Sequence, residues 1–292
     1  MGKKTRMHIF AALAVSLWAL GYVMTRVAVR HFSVEAMSFL RYLIAALTLL
    51  TYAVLKKMRL PEWKDVPLFF VGGAIGFAVY VYAINAGSMV LTASAVSFIV
   101  SAAPICTALL ARAFLKERMG LVDWASILFG FSGVGVITVV NGGLTLTSGV
   151  LWIVLAMVLV SFYNIFQRRL LLRYSPLEIT TYCIVAGALE LSIFAGSAFP
   201  QLLAAPPQVL TAIIILGVFS AAAAYLLWAY ALNLAIRTSD VTPYMFVTPI
   251  LTTFLGFLLI GEAPHYTTYI GGAIVLASVL VITRRKPDGA KK

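Results

Sequence analysis

Residues 82–87 read YAINAG and residues 230–235 read YALNLA. Tyrosine, alanine, an aliphatic residue and asparagine thus recur at an offset of 148 residues. Six positions prove little alone, so the flanks decide whether half a chain was duplicated. Phe77 and Tyr80 precede the first copy as Tyr225 and Trp228 precede the second, and Asn85 answers to Asn233. Further along, Glu117 follows Pro104 by 13 residues and Glu262 follows Pro249 by 13, an offset of 145 between the pairs. The tripeptide VIT ends at Thr138 and again at Thr283, also 145 apart. SVEAMSF at 33–39 aligns Glu35 with Glu178 of SPLEITTY, at 143. Trp18-Ala-Leu-Gly21 against Ser161-Phe-Tyr-Asn164 is the weakest match. The offset changes only where loops are expected, as insertions would require.

Composition says where such a duplicated chain lives. It is 62% hydrophobic and 11% charged, whereas soluble domains carry about 25% charged residues. The net charge of +12 sits in short basic clusters between apolar runs, a pattern of membrane topology signals rather than of a nucleic-acid surface. Cys106 and Cys183 both fall within apolar runs and offer neither metal spacing nor a disulfide framework. Lys3, Lys4 and Arg6 precede an apolar stretch too long for a leader's core, so that stretch is taken as the first span.

A bilayer core takes about 20 apolar residues per helix. Ten stretches meet that length: 8–28, 34–55, 66–86, 92–114, 121–140, 149–170, 177–199, 209–234, 238–260 and 266–283. The runs are continuous rather than alternating, which favours helices that satisfy their own backbone in lipid. With both termini cytoplasmic, nineteen basic residues face inward against two outward, Arg26 and Arg30, a strong positive-inside bias. The expected location is a bacterial-type inner membrane, with no separate soluble domain. The repeat then divides the chain at 1–145 and 146–292, five helices each. Five is odd, so the second half enters from the opposite side. An inverted repeat of this kind is the architecture of many secondary transporters, with the substrate site between the halves near the midplane.

The Pro-x12-Glu pairs at 104/117 and 249/262, SLWALGYV in the first span and FLRY in the second carry a resemblance to the EamA family of the drug/metabolite transporter superfamily, over essentially all ten spans. The resemblance implies a cavity lined by spans one to four and six to nine, with five and ten peripheral. It also implies export of small metabolites, among them amino acids and nucleoside-like compounds. The related small multidrug resistance proteins depend on a glutamate in their first span. Span one here offers Trp18, Gly21 and Tyr22 instead, which argues against proton-coupled export of lipophilic cations.

Candidate pathway residues follow from polar or aromatic side chains deep in apolar spans. Phe77 and Tyr80 of span three share a helix face by their spacing of three, and Tyr225 and Trp228 match them in span eight. They suit an apolar wall with hydroxyl and indole handles; ordinary packing or an interfacial belt is the alternative. Trp18 and Tyr22 in span one, and Tyr163 and Asn164 in span six, join them. Ser94, Ser97 and Ser101 form a polar stripe leading to Pro104, and Thr242, Tyr244 and Thr248 lead to Pro249. Each proline removes a backbone donor and frees a carbonyl, so Pro104 and Pro249 are candidate hinge or helix-packing positions. Asn85 and Asn233 are read as buried amides that glue helices or gate opposite ends. Gly72-x3-Gly76 and the glycines of span five suit close helix contacts, within one chain or between chains.

Arg41 and Glu190 stand out as charges inside spans two and seven. A charge at the bilayer centre costs at least about 2.5–3.5 kcal/mol, so it faces a cavity or a partner. Counted from the outer ends of their spans, Arg41 lies roughly 10 Å and Glu190 roughly 13 Å deep. The expectation is an ion pair, or two groups facing one cavity, with Arg41 suited to a substrate carboxylate and Glu190 to an amine or a proton. Glu117 and Glu262 read as interfacial helix ends. There is no Walker loop, HExxH or paired-aspartate motif, so neither ATP drive, an intramembrane enzyme nor a cofactor is implied. The reading is therefore a secondary exporter of small amphipathic metabolites such as amino acids, working by alternating access. A drug or lipophilic-compound exporter, a lipid flippase and a non-transporting accessory protein are the alternatives.

Overall fold

Hydroxyl caps set the starts of several helices. Ser33 Oγ accepts from Ala36 N at 3.2 Å, Thr92 Oγ1 from Ala95 N at 3.2 Å, and Ser175 with Glu178 forms a reciprocal capping box. Each cap satisfies backbone donors that the first helical turn leaves unpaired. The computed structural model describes residues 2–115, 121–142, 147–235 and 241–284, and among these all regular structure is helical. Glu117, Lys116, Arg118, Arg237 and the basic residues after Arg284 lie outside the described residues.

In chain order the helices are α1 (Lys3–Ala28), α2 (Val34–Leu55), α3 (Trp63–Ser88), α4 (Ala93–Val100), α5 (Ala103–Leu115), α6 (Leu121–Gly142), α7 (Ser148–Leu170), α8 (Pro176–Leu203), α9 (Pro207–Leu234), α10 (Val247–Ile260) and α11 (Tyr266–Arg284). Six of them, α1, α2, α3, α7, α8 and α9, are long and apolar enough to cross a membrane. The chain is thus a multi-pass helical membrane protein.

Three elements depart from the expected uninterrupted runs. The stretch 92–114 is two helices, α4 and α5, broken at Ser101–Ala102 just before Pro104. A 3-10 turn, Thr242–Phe246, precedes α10, so Pro249 falls in the first turn of a new helix. FPQLLAAPPQ, expected to be largely loop, instead carries α8 on to Leu203 through Pro200, after a tight turn at Ser192–Phe194. That extension is held to the α1–α2 connection: Gln201 Oε1 accepts from Ser33 N at 2.8 Å.

α1 runs through the middle, against α9 and α10. α2 and α3 pack on α8, the end of α3 on α7, and α6 lies along α11. Glycine governs the closest approaches. A Cβ at Gly73 of α3 would sit 2.7 Å from the Gly187 backbone nitrogen of α8, and one at Gly133 of α6 2.7 Å from the Gly271 carbonyl oxygen of α11. The glycine contacts expected from the sequence therefore fall within one chain.

Candidate functional site

Two cavities lie side by side inside the bundle. The larger is lined by side chains of α1, α3, α4, α7, α9 and α10 and by Met245 of the preceding turn. Of the candidates, Trp18, Tyr22, Tyr80, Ser97, Ser101, Tyr225 and Thr248 face it, together with Val100 and Val160. The smaller shares the wall of Trp18, Tyr22, Tyr80 and Tyr225 and adds Gly21, Thr25, Arg41, Ile84 and Ser220. Among the described residues, neither α6 nor α11 contributes to either cavity. α8 also contributes nothing, although the resemblance places the seventh span on the cavity; it packs behind α2 and α3.

The wall is an aromatic chain that links helices. Trp18 meets Trp228 at 5.1 Å and Tyr225 at 5.3 Å between centroids, and Tyr225 meets Phe77 at 5.0 Å. Phe77 continues to Tyr163 at 5.0 Å and to Tyr42 at 5.4 Å. Edge and tilted geometries of this kind suit the ring quadrupole and hold the rings in fixed rotamers. Phe77, Tyr163 and Trp228, expected on the cavity, are instead buried behind the wall. The cause is local: α3 widens into π-helical turns over Ala74–Ala78, which rotates Phe77 away from the face that Tyr80 presents.

Arg41 is buried, at 6% exposure. Its Nη2 donates to Ser220 Oγ at 3.1 Å, while Nε is buried without a partner. Close backbone approach makes that meeting possible. A Cβ on Gly217 of α9 would lie 2.5 Å from Ile44 Cβ of α2, and one on Gly21 of α1 would overlap the Ser220 side chain. The Tyr42 ring lies 5.9 Å from the guanidinium carbon. Ser220 was missed in the sequence; a lone serine in the apolar run 212–224 is its signal.

Glu190 corrects the expected pairing. Among the described residues no acid lies within ion-pair distance of Arg41. Glu190 Oε2 is buried without a partner, and Glu190 lines neither cavity. A similar counted depth does not place two side chains on one cavity. Asn164 also lines neither cavity. Tyr244 is turned away as well, its hydroxyl 2.9 Å from His8 Nδ1.

The remaining candidates are tied into helix contacts. Asn85 Nδ2 donates to Ser38 Oγ at 2.9 Å, joining α3 to α2. Asn233 is exposed rather than buried, since α9 is ending there. At the α4–α5 break the Ala103 carbonyl accepts from Ser161 Oγ of α7 at 3.0 Å. In α10 the Pro249 carbonyl accepts from Thr253 Oγ1 at 2.8 Å.

Ties also close the ends of the bundle. Arg26 Nε lies 3.4 Å from Glu262 Oε2 and Arg26 Nη1 donates to the Ser88 carbonyl at 2.7 Å. Glu262 Oε1 accepts from Ala93 N at 2.8 Å. One carboxylate thus joins α1, the start of α4 and the end of α10. Elsewhere Arg168 Nη1 of α7 donates to the Leu232 carbonyl of α9 at 2.8 Å.

Comparison with known proteins follows the same outline. A model of the EamA-like transporter family matches residues 5–139 and again 147–284. The chain is 32% identical over 281 residues to a Bacillus subtilis protein described as an uncharacterized transporter, YdfC, covering 96% of this chain and 92% of that one. It is 30% identical over 275 residues to a probable terminal-alkyne amino-acid exporter of Streptantibioticus cattleyicolor, covering 94% and 92%. A solved crystal structure is similar in fold, with a TM-score of 0.68 at 17% identity, over 97% of this chain and 99% of that one.

Proposed function

Because this chain belongs to the EamA-like transporter family, it is a membrane transporter, and we propose that it is a secondary exporter of small amphipathic metabolites such as amino acids. The observation that carries this reading is the pair of buried cavities at the junction of the two family-matched segments. Trp18, Tyr22, Tyr80, Ser97 and Ser101 come from the first segment and Val160, Tyr225 and Thr248 from the second. A site built jointly by two halves changes its exposure when the halves rock. The name of the Streptantibioticus relative supports amino-acid chemistry and outward transport.

The proposed architecture is ten crossings in two five-helix halves, 1–145 and 146–292, inverted relative to one another. Several contacts support it. Phe77 and Tyr225 hold corresponding positions in the repeat and touch each other, as residues on a two-fold axis do. α6 and α11 hold corresponding positions and pack together. Arg26 bonds a carbonyl at the end of α3, and Arg168 bonds one at the end of α9, its counterpart. The distribution of basic residues supports cytoplasmic termini in an inner membrane.

Uptake into proteoliposomes of a labelled amino-acid mixture, with and without a pH gradient, tests the function. Saturable uptake of a subset is expected, and its response to the gradient separates facilitated diffusion from proton exchange. No uptake of any amino acid by folded protein rejects the amino-acid reading and favours lipophilic compounds, for which Val100, Val160 and Met245 provide an apolar wall.

Ser97→Phe places a ring in the larger cavity, where a bound molecule would sit. Transport is expected to fall at least about tenfold by occlusion of the site, with the elution profile in detergent unchanged. Full transport by this variant removes the larger cavity from the pathway.

A further inference from the structure

Among the described residues, the smaller cavity has one charged side chain and no counter-charge. Its lining includes Arg41 and neither aspartate nor glutamate. The described acids are engaged elsewhere or turned away. Glu35 accepts from Tyr82, Glu62 pairs with Lys64, Asp65 with Arg173 and Glu262 with Arg26, while Glu178 caps α8. Glu190 lines neither cavity.

The guanidinium is not satisfied by its surroundings. It is nine-tenths buried, uses one Nη in the bond to Ser220, and keeps its Nε without a partner. An arginine edge with unused donors is shaped for a carboxylate, which it binds through two parallel hydrogen bonds. The phenols of Tyr22, Tyr80 and Tyr225 lie within electrostatic reach of Arg41 and supply further hydroxyls. Beyond the shared wall, the larger cavity offers Val100, Val160 and Met245 to an apolar chain. A single cation matches a monoanion; a dianionic phosphate would remain half-neutralised.

We infer that Arg41 and Ser220 seat a substrate carboxylate, that the apolar chain lies in the larger cavity, and that no charged side chain recognises an α-ammonium group. The carrier therefore takes amphipathic monocarboxylates with or without an amine. An ammonium group, when present, meets only ring faces and hydroxyls, which tolerate it without requiring it. This inference rests on the transporter reading above and narrows its substrate class.

Trp18 lines both cavities, so its fluorescence reports binding to the purified protein in detergent. The probes are leucine, phenylalanine, their des-amino analogues 4-methylpentanoate and 3-phenylpropanoate, leucinamide and 3-methylbutylamine. The des-amino acids are expected to bind within about threefold of the parent amino acids, and the amide and amine at least about tenfold more weakly, as loss of a paired carboxylate requires. Arg41→Gln is expected to weaken every carboxylate by at least about thirtyfold and Arg41→Lys by less, because lysine keeps the charge and loses the fork.

Tight binding of the amines, failure of the des-amino acids where amino acids bind, or binding of no member of the panel overturns the inference. The panel on the unaltered protein decides this even if the Arg41 variants fold poorly. Uptake of the same compounds into proteoliposomes separates the two readings. Transport of amines but not carboxylates leaves a transporter with another substrate class, whereas transport of none rejects the amino-acid reading as well and leaves the lipophilic-compound alternative.

Discussion

Gly73→Leu is expected to leave almost no folded protein in the membrane. Even a Cβ at this position falls 2.7 Å from the Gly187 nitrogen and 2.9 Å from Ala186 Cβ. Backbone cannot swing aside as the tip of a side chain does, so α3 and α8 would have to separate. Their contact has further tight points, since a Cβ at Gly187 lies 2.9 Å from Phe77 Cβ and one at Gly72 2.8 Å from Cys183 Sγ. Small residues let helix backbones approach in lipid, where dispersion rather than water expulsion drives association. Overpacking typically costs about 1–3 kcal/mol, occasionally more, and a branched side chain against backbone belongs to the upper end. Gly196→Leu is the matched control, because nothing lies within 4 Å of a Cβ there. Size-exclusion of detergent-solubilised protein should show the symmetric peak lost for Gly73→Leu and kept for Gly196→Leu. An unchanged peak for both would mean that the α3–α8 contact is not needed for folding.

On the proposed topology with cytoplasmic termini, Glu262→Gln is expected to open the end of the bundle that faces outward. The substitution keeps the shape and removes the charge that holds Arg26 and strengthens the bond from Ala93. Charge-assisted bonds of this partly buried kind contribute roughly 1.5–3 kcal/mol. Taking about 2 kcal/mol, the ratio of outward-open to outward-closed protein rises about thirtyfold. The readout is the reaction of Ser97→Cys with an external, membrane-impermeant maleimide, with Cys106 and Cys183 replaced. Labelling should accelerate with Gln at 262, and transport should fall because the return step is disfavoured. Unchanged labelling and transport would make the Arg26–Glu262 contact a passive tie between helix ends.

The sequence reveals spans because lipid imposes one rule at every depth, that residues be apolar for about 20 positions. Val34–Leu55 was located to the residue on that rule alone. It reveals depth for the same reason, since each residue adds about 1.5 Å of rise. It does not reveal rotation. Arg41 and Glu190 lie at similar counted depths, but which neighbour each side chain meets depends on how glycines let helices approach. Gly21 and Gly217 draw α1, α2 and α9 together at Ser220, whereas Gly187, near Glu190, draws α8 to α3. Phe77 and Tyr80 show a second limit. A spacing of three places them on one face, yet with widened turns at Ala74–Ala78 Phe77 lies in the core and Tyr80 on the cavity. Pro200 shows a third. Its flanks read as loop, but a restarted helix carries the chain through it and supplies Gln201 to the α1–α2 connection.

On the carboxylate reading inferred above, the uncompensated guanidinium of Arg41 would also make the carrier sensitive to voltage. An empty site holds one net positive charge within the membrane, and a site loaded with a monocarboxylate holds none. A full transmembrane passage of one charge is worth about 2.3 kcal/mol per 100 mV, and a reorienting site crosses part of that field. At an interior-negative potential the empty site would be drawn to face the cytoplasm, where the proposed exporter loads. The potential would then drive the return of the empty carrier without acting on the loaded one. Capacitive currents on reconstituted membranes without substrate, quenched by saturating carboxylate and lost in Arg41→Gln, are the sign of this coupling; their absence would place Arg41 outside the moving field.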